Sequence, residues 1–144
     1  MKQLPEHGSC FICGSENPHS LGLRWFVNEK GVVSSDFTLT LAQQGPPGFA
    51  HGGVTAAVLD EVMGAAVWHA GYTVAAARLQ VNYLEPVPLG VLLHTQGRIT
   101  RRRGRKLYAR GEIYLPNGTL GVTGSGLYII APQLFDQNKM FREA

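Results

Sequence analysis

Hydrophobic and polar positions alternate with two different periods along this chain, and the change of period divides it into elements. Leu21, Leu23, Trp25 and Val27 alternate with Gly22, Arg24 and Asn28, the pattern of a half-buried strand. After a turn over residues 28–31, Val33, Ser35, Phe37, Leu39 and Leu41 alternate with Ser34, Asp36, Thr38 and Thr40, which predicts a second strand closing a hairpin. Two prolines and two glycines make residues 43–48 a loop. From Gly52 to about residue 70 the period lengthens, with Val54, Val58, Val62 and Ala65 on one helical face and mostly Ala or Gly elsewhere. A helix that is small and apolar nearly all round is a buried one. Gly71 supplies its natural stop. Strands are then predicted over 74–84, 91–102, 107–115 and 119–130, with turns at 103–106 and at Pro116-Asn117-Gly118. Residues 1–20 read as coil, and the polar tail 132–144 reads as a short helix or as disordered. Two strands, one buried helix and four strands imply an α+β fold, an antiparallel six-stranded sheet wrapped around one central helix.

The buried helix carries the unexpected chemistry. Between Phe37 and Ala77 the only formal charges are Asp60 and Glu61. A carboxylate inside an apolar helix is costly to bury without a partner. The helix opens at His51-Gly52-Gly53, where the absence of side chains lets another molecule approach the backbone N–H groups. A helix N-terminus stabilises negative charge. The pattern therefore offers a site for a developing oxyanion and a general base about two turns away. Asp60 is the stronger acid candidate, because Ala56, Ala57, Met63 and Gly64 give it no charged neighbour. Glu61 points roughly 100° away and reads as an interface or cap partner. His51 reads as a loop anchor as readily as a functional group.

Several segments together resemble the hotdog-fold acyl-CoA thioesterases, in particular the branch similar to the phenylacetate-pathway enzymes. They are Cys10-Phe11-Ile12-Cys13-Gly14 with Asn17-Pro18 and Leu21-Gly22-Leu23, then Gly48-Phe49-Ala50-His51-Gly52-Gly53 and Leu59-Asp60. Asn82-Tyr83-Leu84-Glu85-Pro86-Val87-Pro88-Leu89-Gly90 and the basic turn Gly104-Arg105-Lys106 complete the set. The resemblance covers nearly the whole chain and implies a single hotdog domain over 1–144, hydrolysing an acyl-CoA to a carboxylic acid and free CoA across a subunit interface. By that likeness the Gly52 N–H polarises the thioester carbonyl, Asp60 of the other subunit acts as base or nucleophile, and His51 holds the helix start. Gln44 is a further oxyanion donor. Gly53, Asn82, Arg103, Arg105 and Lys106 are the expected substrate contacts. Two positions depart from the family pattern: Ala76 stands where relatives often carry a water-orienting Ser or Thr, and Glu85 where they often carry a base. The first motivates an alternative, a non-hydrolytic acyl-CoA-binding protein on the same fold.

Bulk properties narrow the remaining classes. The chain has 144 residues, enough for one self-sufficient core. At 16% charged residues its surface is one that oligomerisation often completes, and a homodimer or homotetramer is expected. No apolar run reaches the roughly 18–20 residues of a membrane span. The N-terminal residues lack the apolar core of a signal peptide, so a cytoplasmic protein is expected. The net charge of +3 is concentrated at Arg101, Arg102, Arg103, Arg105 and Lys106. Guanidinium groups bind phosphate well, which suits coenzyme A, whereas no nucleic-acid motif or stacking platform accompanies them. His7, Cys10, Cys13 and His19 could supply four zinc ligands, and Cys10 with Cys13 could form a redox pair. A lone CxxC is a weak signal, and the reading preferred is two reduced cysteines packed on the domain, with no metal and no cofactor. A zinc- or nucleic-acid-binding module is the more distant alternative.

Overall fold

The computed structural model describes residues 1–136. The strands are β1 (Lys2–Gln3), β2 (Phe26–Val27), β3 (Val33–Phe37), β4 (Val74–Tyr83), β5 (Leu93–Arg103), β6 (Lys106–Tyr114) and β7 (Leu120–Ile130). They form one antiparallel sheet in the order β1-β2-β3-β5-β6-β7-β4. The long helix α1 (Gly52–His69) lies across its inner face, and a short helix α2 (Pro132–Asp136) follows β7. This is the hotdog architecture expected from the sequence, with seven strands in place of six. The extra strand is β1, within the segment expected to be coil. The rest of the predicted tail lies outside the described residues.

The first hairpin is shorter than the alternation implied, because other groups take its hydrogen bonds. The N–H groups of Leu21 and Leu23 donate to Phe11 and Ile12 carbonyls in the N-terminal loop, not to a strand. β3 gives way beyond Phe37 to a 3₁₀ turn at Leu41–Gln43. There Thr40 and Gln43 cap each other, the Thr40 N–H donating to Gln43 Oε1 at 2.7 Å.

Helix and sheet meet over a row of glycines. Gly97 on β5 pairs with Gly111 on β6, and Gly111 with Gly124 on β7. A Cβ at Gly97 would lie 2.9 Å from the Val62 carbonyl, and one at Gly111 3.2 Å from Leu59 Cδ2. The missing side chains form a groove that receives Leu59, Val62 and Met63, all fully buried. These residues and Val58 and Val67 pack with Val33, Leu93, Leu107, Ile113 and Val122 in one core. Burying each such side chain stabilises the fold by about 1.5–3 kcal/mol.

Among the described residues, one long edge of the sheet is unpaired. β4 ends the sheet, and its inner-facing Leu79 and Tyr83 remain 39% and 56% exposed. This ten-residue edge strand presents unpaired backbone N–H and C=O groups beside those apolar side chains.

Candidate active site

The turn before α1 is built by side chain and backbone together. Gln44 Oε1 accepts from the Gly48 N–H at 2.8 Å, closing the Pro46-Pro47 loop. The His51 N–H donates to the Gln43 carbonyl, and the Ala50 N–H to Val87 in the β4–β5 connection, both at 2.8 Å. His51 is the N-cap: its extended backbone ends the loop, and its Nδ1 accepts from the Gly53 N–H at 2.9 Å. The Val54 and Thr55 N–H groups donate to the His51 carbonyl. Of the four N–H groups that open the helix, only that of Gly52 has no partner among the described residues.

Gly52 also borders an apolar cleft of about 540 Å³, whose wall includes Pro46, Phe49, Thr55, Tyr83, Leu84 and Val87. Tyr83 closes tightly on it: its hydroxyl donates to the Gly52 carbonyl at 2.8 Å, and a Cβ at Gly52 would lie 3.3 Å from the Tyr83 ring. Tyr83 belongs to the motif over residues 82–90, which by itself assigns it no role. Phe49 lines the same cleft, whereas Trp25 is buried core and Trp68 packs edge-on against Phe135 at 5.2 Å.

Asp60 sits two turns further along the helix and is partly buried. Its partner is a tyrosine from the sheet: the Tyr128 hydroxyl donates to Asp60 Oδ1 at 2.9 Å and lies 3.0 Å from the Asp60 carbonyl oxygen. Burial, with the Asp60 charge beside it, raises the Tyr128 phenol well above the usual tyrosine range. Tyr128 is the direct register partner of Ala76, so both face the helix. A hydroxyl absent at position 76 is thus present on the neighbouring strand. The alternation of β7 marks Tyr128 as inward-facing, the one signal that could have found it.

Of the remaining expected contacts only Gly53 adjoins Gly52. Asn82 is on the outer sheet face, within 3.5 Å of Thr123 Oγ1. The Gly53 N–H is already taken by His51. The basic turn is at the β4 start and α1 end of the sheet, opposite Gly52. Arg105 there donates twice to the Ile130 carbonyl, and Arg102 donates to the Tyr72 hydroxyl. The side chains of Arg103 and Lys106 carry no hydrogen bond or ion pair among the described residues, although their backbones pair across the hairpin.

A second group of reactive side chains meets on the other side of α1. His7, Cys10, Cys13 and Glu61 bring their ligand atoms within 4.8 Å of one another, and His19 is not among them. The thiol of Cys10 donates to Glu61 Oε2 at 2.9 Å, and Cys13 Sγ lies 3.6 Å from His7 Nδ1. Hydrogen bonding to Cys10 and Glu61 pushes the His7 imidazole up to about 10. Burial raises the Glu61 carboxyl. Hydrogen bonding from Cys13, with the His7 imidazole beside it, draws the Cys10 thiol down.

Residues 47–122, which contain both Gly52 and Asp60, match the sequence profile of the thioesterase superfamily. The acyl-coenzyme A thioesterase THEM4 of Rattus norvegicus is 35% identical over 102 residues, 70% of this chain and 44% of that protein. The chain spans between 32% and 44% of the length of the curated relatives it matches. The crystal structure of a thioesterase superfamily protein superposes with a TM-score of 0.81 at 34% identity, covering 83% of this chain and 62% of that one. A putative thioesterase from Ralstonia eutropha JMP134, described as phenylacetic acid degradation-related, gives 0.70 at 27% identity, covering 81% and 94%. With a sheet wrapped around a glycine-opened helix, and a profile match spanning the helix start and its buried acid, the chain belongs to the thioesterase superfamily.

Proposed function

We propose that the protein is an acyl-CoA thioesterase whose active site is completed by a second copy of the chain. The observation that carries this reading is the single unpartnered N–H at the helix start, that of Gly52, opening on an apolar cleft of acyl-chain character. A donor placed there stabilises the oxygen of a thioester carbonyl as charge develops on it. The side-chain NH₂ of Gln44 stays free to donate, because the Gly48 N–H fixes its oxygen as the acceptor.

Asp60 is eight residues from Gly52, about 12 Å along the helix axis. That is too far for one chain to serve one carbonyl with both groups. Pairing of two β4 edges in the antiparallel sense reverses the partner's helix and brings its Asp60 toward the cleft. The same two-fold carries the partner's basic turn, with Arg103 and Lys106 free, to the end where the CoA phosphates would lie.

In the proposed reaction Asp60 takes a proton from water as its oxygen adds to the thioester carbon. The resulting oxyanion rests on the Gly52 N–H. Collapse breaks the C–S bond, and the CoA thiolate leaves with the proton that Asp60 took from water, which restores the carboxylate. His51 Nδ1 is committed to the Gly53 N–H, which favours an anchoring role over a base. The reduced cysteines suit a reducing compartment such as the cytoplasm.

Steady-state assays with acyl-CoAs of graded length and aromaticity test the proposal. Release of CoA from at least one of them, lost in Asp60→Asn, is the expected result. Acyl-CoA binding without turnover would replace it with the non-hydrolytic reading that Ala76 suggests.

A further inference from the structure

The proposed reaction leaves His7, Cys10, Cys13 and Glu61 unused, although the fold takes trouble to gather them. The loop from His7 to Gly14 is closed by the Cys10 N–H donating to His7 and the Gly14 N–H to Cys10, both at 2.9 Å. The Ile12 N–H points at Cys10 Sγ from 3.4 Å. Gly14 is required for this closure, because a Cβ there would lie 2.3 Å from both the Cys10 nitrogen and the Gly8 carbonyl oxygen. The closed loop aims both thiols and the imidazole at Glu61 on α1.

The geometry suits a small tetrahedral ion. With sulfur at about 2.3 Å and nitrogen at about 2.0 Å from zinc, tetrahedral ligands are separated by about 3.5 Å. Cys13 Sγ and His7 Nδ1 are 3.6 Å apart, and His7 Nδ1 and Glu61 Oε1 3.8 Å. The Cys10–Glu61 approach of 2.9 Å is a hydrogen bond, which a small side-chain rotation converts into a ligand–ligand edge. Two thiolates, an imidazole and a carboxylate match zinc in softness and in number. Cys13 is 1% exposed, and four protein ligands leave no open position, the character of a structural site. A redox pair would need neither the imidazole nor the carboxylate.

We propose that His7, Cys10, Cys13 and Glu61 bind one zinc ion that staples the N-terminal loop to the helix turn carrying Asp60. Glu61 adjoins the proposed base, so the ion fixes the rotation of that turn. The inference is independent of the thioesterase reading, because metal content is measured without substrate.

The test uses the untagged full chain, expressed with zinc in the medium and purified under reductant. One zinc per chain surviving dialysis against a weak chelator is expected; a small fraction of an equivalent would overturn the proposal. Glu61→Gln should weaken zinc binding by ~10-fold or more, whereas His19→Ala should leave it unchanged. Unaltered affinity in Glu61→Gln, or loss in His19→Ala, would refute this ligand set. The paired substitution Cys10→Ser and Cys13→Ser should abolish binding. Should that variant fail to fold, cobalt(II) titration of the metal-stripped wild type decides the matter. Intense tetrahedral ligand-field bands with thiolate charge transfer, saturating at one equivalent, are expected; weak octahedral bands would sink the proposal.

Discussion

The hydroxyl of Tyr128 holds the carboxylate of Asp60 from across the helix–sheet interface, 2.9 Å from Oδ1. One oxygen is thereby fixed and the other left for water. Asp60→Asn is expected to lower kcat by ~100- to 10,000-fold, the usual worth of a general base. Tyr128→Phe keeps the acid and loses its orientation, so a fall in kcat of ~10-fold with little change in KM is expected. Steady-state kinetics on the best acyl-CoA check both, and an equal rise in KM would assign Tyr128 to substrate binding instead.

The raised Tyr128 phenol carries a stability consequence. In the unfolded chain a tyrosine releases its proton near pH 10, whereas burial and the Asp60 charge keep Tyr128 protonated in the native state. Above that pH the folded state binds more protons than the unfolded one, so stability falls as pH rises. Wild type should lose about 1.4 kcal/mol per pH unit relative to Tyr128→Phe above pH ~10. Urea unfolding of both proteins at stepped alkaline pH measures the difference, in which the other tyrosines cancel.

Gly52 allows the donor itself to be removed. Proline is tolerated at the first helical position and lacks an N–H. The extended backbone of His51, at φ −63° and ψ 133°, is one that a following proline accepts. Gly52→Pro should reduce kcat by ~100- to 1,000-fold, while Gly52→Ala, with the same Cβ against Tyr83, keeps most of it. Mixing Gly52→Pro with Asp60→Asn subunits should restore about a quarter of wild-type activity if each site draws on two chains. No restoration would place the site within one chain.

His51 tests the anchoring role. His51→Ala removes the cap on the Gly53 N–H and should cost about 1 kcal/mol of stability. His51→Asn supplies another good N-cap and should retain both stability and most of kcat. Loss of activity in a stable His51→Asn protein would make the imidazole a chemical participant.

The glycine row makes a prediction for the fold alone. A methyl at Gly97 meets the Val62 carbonyl at 2.9 Å, a rigid backbone neighbour. Gly97→Ala should destabilise by about 1–3 kcal/mol in denaturant unfolding, through separation of α1 from β5.

The sequence by itself determined the helix, the four long strands, and the pairing of a glycine helix start with a buried acid. Those features are local: period-2 and period-3.6 patterns and turn residues act over a few neighbours. It also marked Asp60 and Glu61 as charges needing an explanation, without naming their partners. Only the tertiary structure decided those. Tyr128 is 68 residues from Asp60, and Cys10 is 51 residues from Glu61, so no local pattern links either pair. The loop geometry likewise replaced His19 with Glu61 among the ligand atoms, because helix rotation sets which side chains meet and linear spacing does not. The same holds for the first hairpin, which the N-terminal loop shortens by capturing the backbone groups of Leu21 and Leu23. Alternation specifies that a segment is extended and half-buried; which neighbour takes its hydrogen bonds is settled by the competition among all segments that reach it.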